Sequence, residues 1–196
     1  MDLIDRAGGH FRESIATLQL VMDELSPAIA VAAERMVASL MNEGKILACG
    51  NGGAAADAHH FVTLMLGHFE KERPGLAAIA LSSDAPSLTA VGNNYEFDLI
   101  FSKQVRALGH HNDLLLVISS SGNSANIIEA IYAAHERGMN VIALTGNDGG
   151  QVAEILSPED LHLNVPVTRA ARVQEVHLLL LHALCDAIDY MLLGGE

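Results

Sequence analysis

Residues 114–118, Leu-Leu-Leu-Val-Ile, are apolar at every position. They show none of the alternation of a strand with one face in water. The run passes through Ser119 into Ser120-Ser121-Gly122-Asn123-Ser124, and a helical pattern then continues to Arg137 and stops at Gly138. A strand buried on both faces and followed at once by a helix belongs to a parallel sheet covered on both sides. The rest of the chain repeats this pattern. Residues 45–49, 77–82, 140–144 and 161–165 read as strands, and 54–70 and 170–193 as helices. The expected class is α/β with a doubly wound parallel sheet, whose ligands sit beyond the carboxyl ends of strands.

Ahead of this core, residues 1–43 read as a pair of helices divided at Ser26-Pro27, with Ser as N-cap and Pro in the first helical position. Ile29, Ala32, Met36, Ala38 and Leu40 give the second helix its apolar stripe, and Gly44 is expected to end it. No repeat or linker divides the 196 residues, so one domain is expected, with 1–43 serving oligomerisation and 44–196 forming the α/β core. Half of the residues are hydrophobic and only 18% charged, a surplus that points to subunit interfaces as well as a core.

A formal net charge of −13 without a run of Lys or Arg argues against direct nucleic-acid binding. Cys49 and Cys185 are too few for a disulfide framework and lack metal-type spacing, so both are expected as buried free thiols. No signal-peptide pattern opens the chain and its apolar stretches are interrupted, which gives a cytoplasmic expectation with no membrane span.

Two strand ends carry candidate chemistry. In 119–124, the hydroxyls of Ser119, Ser120, Ser121 and Ser124 stand at a helix start, where free N–H groups receive an anion without any Lys or Arg. No Gly-Lys-Ser/Thr follows, so this is not a Walker loop. At the end of the first strand, Cys49-Gly50-Asn51-Gly52-Gly53 combines glycines that permit close approach with an amide that donates and accepts.

Taken together, these loops, with 143–150 (Ala-Leu-Thr-Gly-Asn-Asp-Gly-Gly) and 172–177 (Arg-Val-Gln-Glu-Val-His), resemble the SIS family of sugar-isomerase-like proteins, in particular its phosphoheptose isomerase branch. The resemblance implies a flavodoxin-like doubly wound SIS fold and a homotetramer binding sedoheptulose 7-phosphate at subunit interfaces. It implies ligand contacts from Asn51, Gly52, Gly53, Ser119, Ser121, Ser124 and Gln174, with Ser120 in the same loop and Asn93 and Asn94 at a further family position. It implies His182 as a catalytic residue, and His60, Gln174 and His182 as ligands able to hold zinc.

The same resemblance places a glutamate one turn after His60, where this chain has Leu64, which neither accepts a proton nor binds a metal. His68, Asn94 and Ala171 depart from the isomerase pattern as well. These departures are similar to the initiator-associating branch of the family. They lead to the expectation of a non-catalytic phosphosugar-binding protein that assists the replication initiator DnaA, with Leu192 and Leu193 touching that partner. The alternative is a sedoheptulose 7-phosphate isomerase supplying heptose for lipopolysaccharide.

Overall fold

The computed structural model describes residues 2–194. Five strands, β1 (Ile46–Gly50), β2 (Ala78–Ala80), β3 (Leu114–Ser119), β4 (Asn140–Gly146) and β5 (Leu161–Val165), form one parallel sheet in the order β2-β1-β3-β4-β5. That is the flavodoxin-like doubly wound order, with its switch point between β1 and β3. Alternate residues of each strand feed two cores. Ile46, Ala48, Leu114, Leu116, Ile118, Ile142 and Leu144 meet helices α1 (Leu3–Met41), α2 (Gly53–Leu66) and α7 (Ala170–Leu193). On the other face, Leu47, Cys49, Leu115, Val117, Val141 and Ala143 meet α4 (Ser102–Leu108), α5 (Ala125–Glu136) and α6 (Gly150–Ile155). Helix α3 (Ala85–Asn94) covers the β2 edge and buries none of its residues fully, so periodicity in the sequence does not reveal it.

The expected N-terminal helix pair is one continuous helix of 39 residues with Pro27 inside it. Ser26 does not cap; its hydroxyl donates back to the Met22 carbonyl at 2.6 Å. An interior proline costs about 3 kcal/mol, whereas burying a large apolar side chain contributes about 1.5–3 kcal/mol. Val21 and Leu25 before the proline and Met36 after it are all buried in the same core, so packing holds the two halves in line. The helix ends at Asn42, with Glu43 left-handed at φ 61°, rather than at Gly44. Gly44 serves close approach instead, since a Cβ there would lie 2.4 Å from the Asn112 carbonyl.

Helices α1 and α7 are both long and apolar enough to cross a membrane by composition, contrary to the reading of interrupted stretches. For α7 the core accounts for this, since Val176, Leu180, Leu181, Leu184 and Ile188 are buried beneath α1 and α2. Along α1, however, Phe11, Ile15, Leu20 and Met22 remain exposed.

Helix α2 stops at Leu66, short of the expected residue 70, because Arg73 folds back over its carboxyl end. The guanidinium donates to the carbonyls of Leu64, Met65 and Gly67 at 2.9–3.2 Å and to Asp189 of α7 at 2.5 Å, all but sealed from solvent. The guanidinium bonds Asp189 Oδ1, and the buried Oδ2 has no hydrogen-bond partner among the described residues. At the opposite end of the sheet, Gly122 has φ +64°, and a Cβ on it would stand 1.9 Å from the Gly149 carbonyl. Its own carbonyl accepts from Val152 N at 2.9 Å, so the loops after β3 and β4 interlock.

Removing one member of a buried ion pair strands the other, at a cost of about 3–5 kcal/mol. Arg73→Met should lower unfolding stability by that amount in urea titration, and a loss under about 1 kcal/mol would show that Asp189 is solvated. Gly122→Ala should lower the melting temperature, because the left-handed backbone and the Gly149 carbonyl both oppose a methyl. An unchanged melting temperature in a thermal scan would mean the two loops move apart freely.

Candidate functional site

Because the helices after β1 and β3 leave on opposite faces of the sheet, a crevice opens between the two strand ends. Its floor is the Ser119–Ser124 loop and its walls come from Asn51, Gln174 and His177, enclosing a pocket of about 120 Å³. Of the residues expected to contact ligand, Asn51, Ser119, Ser120, Ser121, Ser124 and Gln174 line this pocket. Gly53 stands beside them, since a Cβ on it would lie 3.1 Å from Gln174 Nε2. Gly52, with φ +57°, opens α2 at the rim.

Ser124 is the N-cap of α5 but its hydroxyl makes no capping bond, so both the hydroxyl and the first N–H groups of the helix stay available. Ser121 Oγ accepts from Asn123 N at 3.3 Å. Among the described residues no Lys or Arg lines the pocket. An anion placed here would meet N–H and hydroxyl dipoles at the start of a twelve-residue helix.

Two residues of this site were not singled out from sequence. Asn126, 1% exposed, exchanges two hydrogen bonds with Asn51, at 2.8 and 2.9 Å, and so ties α5 to the β1 loop. An Asn in the first turn of a helix is ordinary in sequence, and only the fold shows its burial and its partner. His177 lies on the pocket wall with Nε2 2.9 Å from the Thr145 carbonyl. A carbonyl only accepts, so this nitrogen carries the proton, and burial lowers the imidazole's pKa and favours its neutral form. Thr145 also donates to Asn164 Oδ1 at 2.9 Å and accepts from the His162 ring at 2.6 Å. Burial likewise lowers the His162 pKa.

Further along the same two helices, His60 of α2 and His182 of α7 face each other with Nε2 atoms 2.8 Å apart. Their rings are T-shaped at 5.1 Å, and Phe69 flanks His182 at 5.6 Å. Leu64 sits one turn after His60, half-buried and packed against the core. Asp57, one turn before His60, is raised above the ordinary carboxylate range by burial, partly opposed by His60.

Zinc fits this donor set poorly. Tetrahedral coordination with Zn–N near 2.0–2.1 Å separates two ligating nitrogens by about 3.3 Å, whereas the imidazoles are at hydrogen-bonding distance. Gln174 lies two turns away beside Gly53. Among the described residues no three His, Cys, Asp or Glu side chains converge on a metal position.

The remaining expected positions lie apart from the crevice. Asn93 and Asn94 are at the exposed end of α3 and do not line the serine pocket. Leu192 is half-buried against the core and Leu193 is exposed at the end of α7. Both cysteines are buried and free; burial pushes the Cys185 thiol up to about 12 and that of Cys49 higher still.

Comparison with known proteins bears directly on the crevice. Residues 9–146 match the SIS domain model. The phosphoheptose isomerase of Laribacter hongkongensis is 65% identical over the full length of both chains. The structure of phosphoheptose isomerase GmhA from Neisseria gonorrhoeae superposes with a TM-score of 0.91 at 56% identity, covering 96% of this chain and 99% of that one. A phosphoheptose isomerase from Francisella tularensis gives 0.94 at 48% identity with the same coverage. These full-length relatives overturn the expectation of a non-catalytic initiator-associating factor. That expectation rested on Leu64, His68, Asn94 and Ala171, which depart from the isomerase pattern, while His182 was kept; in the structure His182 meets a second imidazole, His60. The chain belongs to the SIS domain family.

Proposed function

We propose that this protein is a sugar-phosphate isomerase that interconverts sedoheptulose 7-phosphate and its aldose isomer. The observation that carries the reading is the cation-free serine cradle at the switch point, in a chain similar along its whole length to phosphoheptose isomerases. The cradle is the size of a phosphate group rather than of a whole heptose. At 1.5 Å per residue, His60 lies about 10 Å along α2 from Gly53, and His182 about 12 Å along α7 from Gln174. A phosphate held at Ser121 and Ser124 therefore lets an open-chain heptose reach the imidazole pair with its carbonyl end. Asn51 and Gln174 supply polar contacts between the two ends.

Assembly into a tetramer belongs to the same reading. An apolar groove of about 380 Å³ between α1 and α7, lined by Leu18, Met22, Leu25, Ile29, Leu179 and Leu180, adjoins exposed Phe11 and Ile15. A second copy's α1 is the natural occupant, since an exposed apolar face of this extent marks an interface.

Purified protein should convert sedoheptulose 7-phosphate to the aldose, followed directly by chromatography, and no conversion by folded protein would refute the activity. Replacing both Ser121 and Ser124 by Ala should raise KM at least tenfold, since each hydrogen bond to a charged group contributes about 1.5–3 kcal/mol. An unchanged KM would put the phosphate elsewhere. In light scattering the protein should have the mass of four chains, and Ile15→Glu should shift it to smaller species; a wild-type monomer would refute the assembly.

A further inference from the structure

The ketose–aldose reaction proposed above removes a proton from C1 and delivers one to C2, while the hydroxyl proton moves between O1 and O2. It requires one group that accepts a proton and one that donates. Leu64 supplies neither. The pair formed by His60 and His182 supplies both, and its geometry fixes the proton count. Two Nε2 atoms at 2.8 Å cannot face each other as two N–H groups or as two lone pairs, so one carries a proton and the other is bare. A single shared proton makes the pair an acid and a base at once.

We infer that His60 and His182 together perform the proton transfers of the isomerisation, without a carboxylate and without zinc. The inference rests on the isomerase reading. The entering carbonyl end of a 2-ketose phosphate separates the two rings. The bare nitrogen takes a proton from C1 as the other ring, present as the imidazolium, gives its Nε2 proton to O2 and becomes neutral, forming a neutral enediol. The first ring then returns its proton to C2 while the second accepts the O1 proton, which leaves an aldehyde at C1 and a hydroxyl at C2. Both rings end as they began, and no external acid, base or oxidant is consumed.

The surroundings suit this exchange. Phe69 stacks obliquely on His182, and Leu64, one turn after His60, packs its hydrocarbon against the core. The titratable neighbours on the two helices are His59, Asp57 and His68 on the α2 side and Asp186 on α7. Of these, His59 is already engaged with the Ser82 hydroxyl at 2.9 Å.

The test uses the intact protein in D2O with sedoheptulose 7-phosphate, measuring aldose formation and deuterium entry at C1 by NMR, with EDTA and with added zinc. Wild type should show both, unaffected by EDTA. His60→Asn and His182→Asn should each lose at least about a hundredfold in kcat, the ordinary contribution of a positioned acid or base. KM should stay within about threefold, because the serine cradle is untouched, and zinc should not rescue either variant. Phosphate-dependent thermal stabilisation retained in both variants reports that they fold. Wild-type kcat in either variant would overturn the shared-proton pair while leaving the isomerase reading intact. Activity lost to EDTA and restored by zinc would replace it with a metal centre. Absence of exchange and of product in wild type would end the isomerase reading and this inference together.

Discussion

Two carboxamides hold the crevice at its narrowest point. Helices α2 and α5 depart from neighbouring strands to opposite faces of the sheet, so the pairing of β1 with β3 fixes where the two loops begin but not how the helices that follow are aimed. Asn51 and Asn126 fix that aim by donating to and accepting from each other, an arrangement in which neither amide can rotate without losing a bond. A neutral buried hydrogen bond contributes only about 0.5–1.5 kcal/mol, but leaving its partner unsatisfied costs more, about 1–3 kcal/mol. The pairing therefore acts chiefly as a constraint on geometry. It aims the amino end of α5 into the space beside Gly52 and Gly53, and the serine hydroxyls follow from that placement.

The second constraint is the interlock of Gly122 with Gly149, which removes freedom from the loop on its other side. A cradle made of N–H groups and hydroxyls needs such support more than one made of lysines. A lysine attracts an anion from several directions and over distance, whereas backbone dipoles must already point at the ligand when it arrives. In a chain with a net charge of −13, the anion is also repelled at long range, and only a rigid, correctly aimed site overcomes that. Burial that keeps His177 neutral fits the same economy, because its proton is committed to the Thr145 carbonyl and the ring acts as wall rather than as charge.

How much of this was legible in the sequence follows from where each residue gets its instructions. The strand β3 and its serine loop were readable because every position of the strand is apolar and the change to hydroxyls is abrupt. The convergence of the two loops followed from the switch-point rule. The single long α1 was not readable, since Ser26-Pro27 is a strong local start signal and only packing on α7 overrides it. Helix α3 lacked an apolar stripe because it covers an edge. Asn126 was hidden by its ordinary helical context, and its role exists only through Asn51, 75 residues away. The meaning of Leu64 was misjudged for the same reason. Residue by residue, leucine in place of an acid reads as a lost function, but a site is a set of distances, and His60 meets His182 across 122 positions of chain.

That last contact also explains why the α2–α7 seam is built so firmly at its far end. Arg73 collects the free carbonyls of α2 and pairs with Asp189 of α7, so the two helices are pinned together one to two turns beyond the imidazoles. Helix ends fray when their carbonyls are left to water, and fraying of α2 from Leu64 onward would carry His60 away from His182. A hydrogen bond between two rings on different helices survives only if the helices keep their spacing to within a few tenths of an ångström. The buried ion pair, costly to desolvate, is thus the element that makes a shared proton between His60 and His182 geometrically sustainable. The serine pocket at one end of the seam and the arginine clasp at the other leave the imidazole pair at a fixed distance from both.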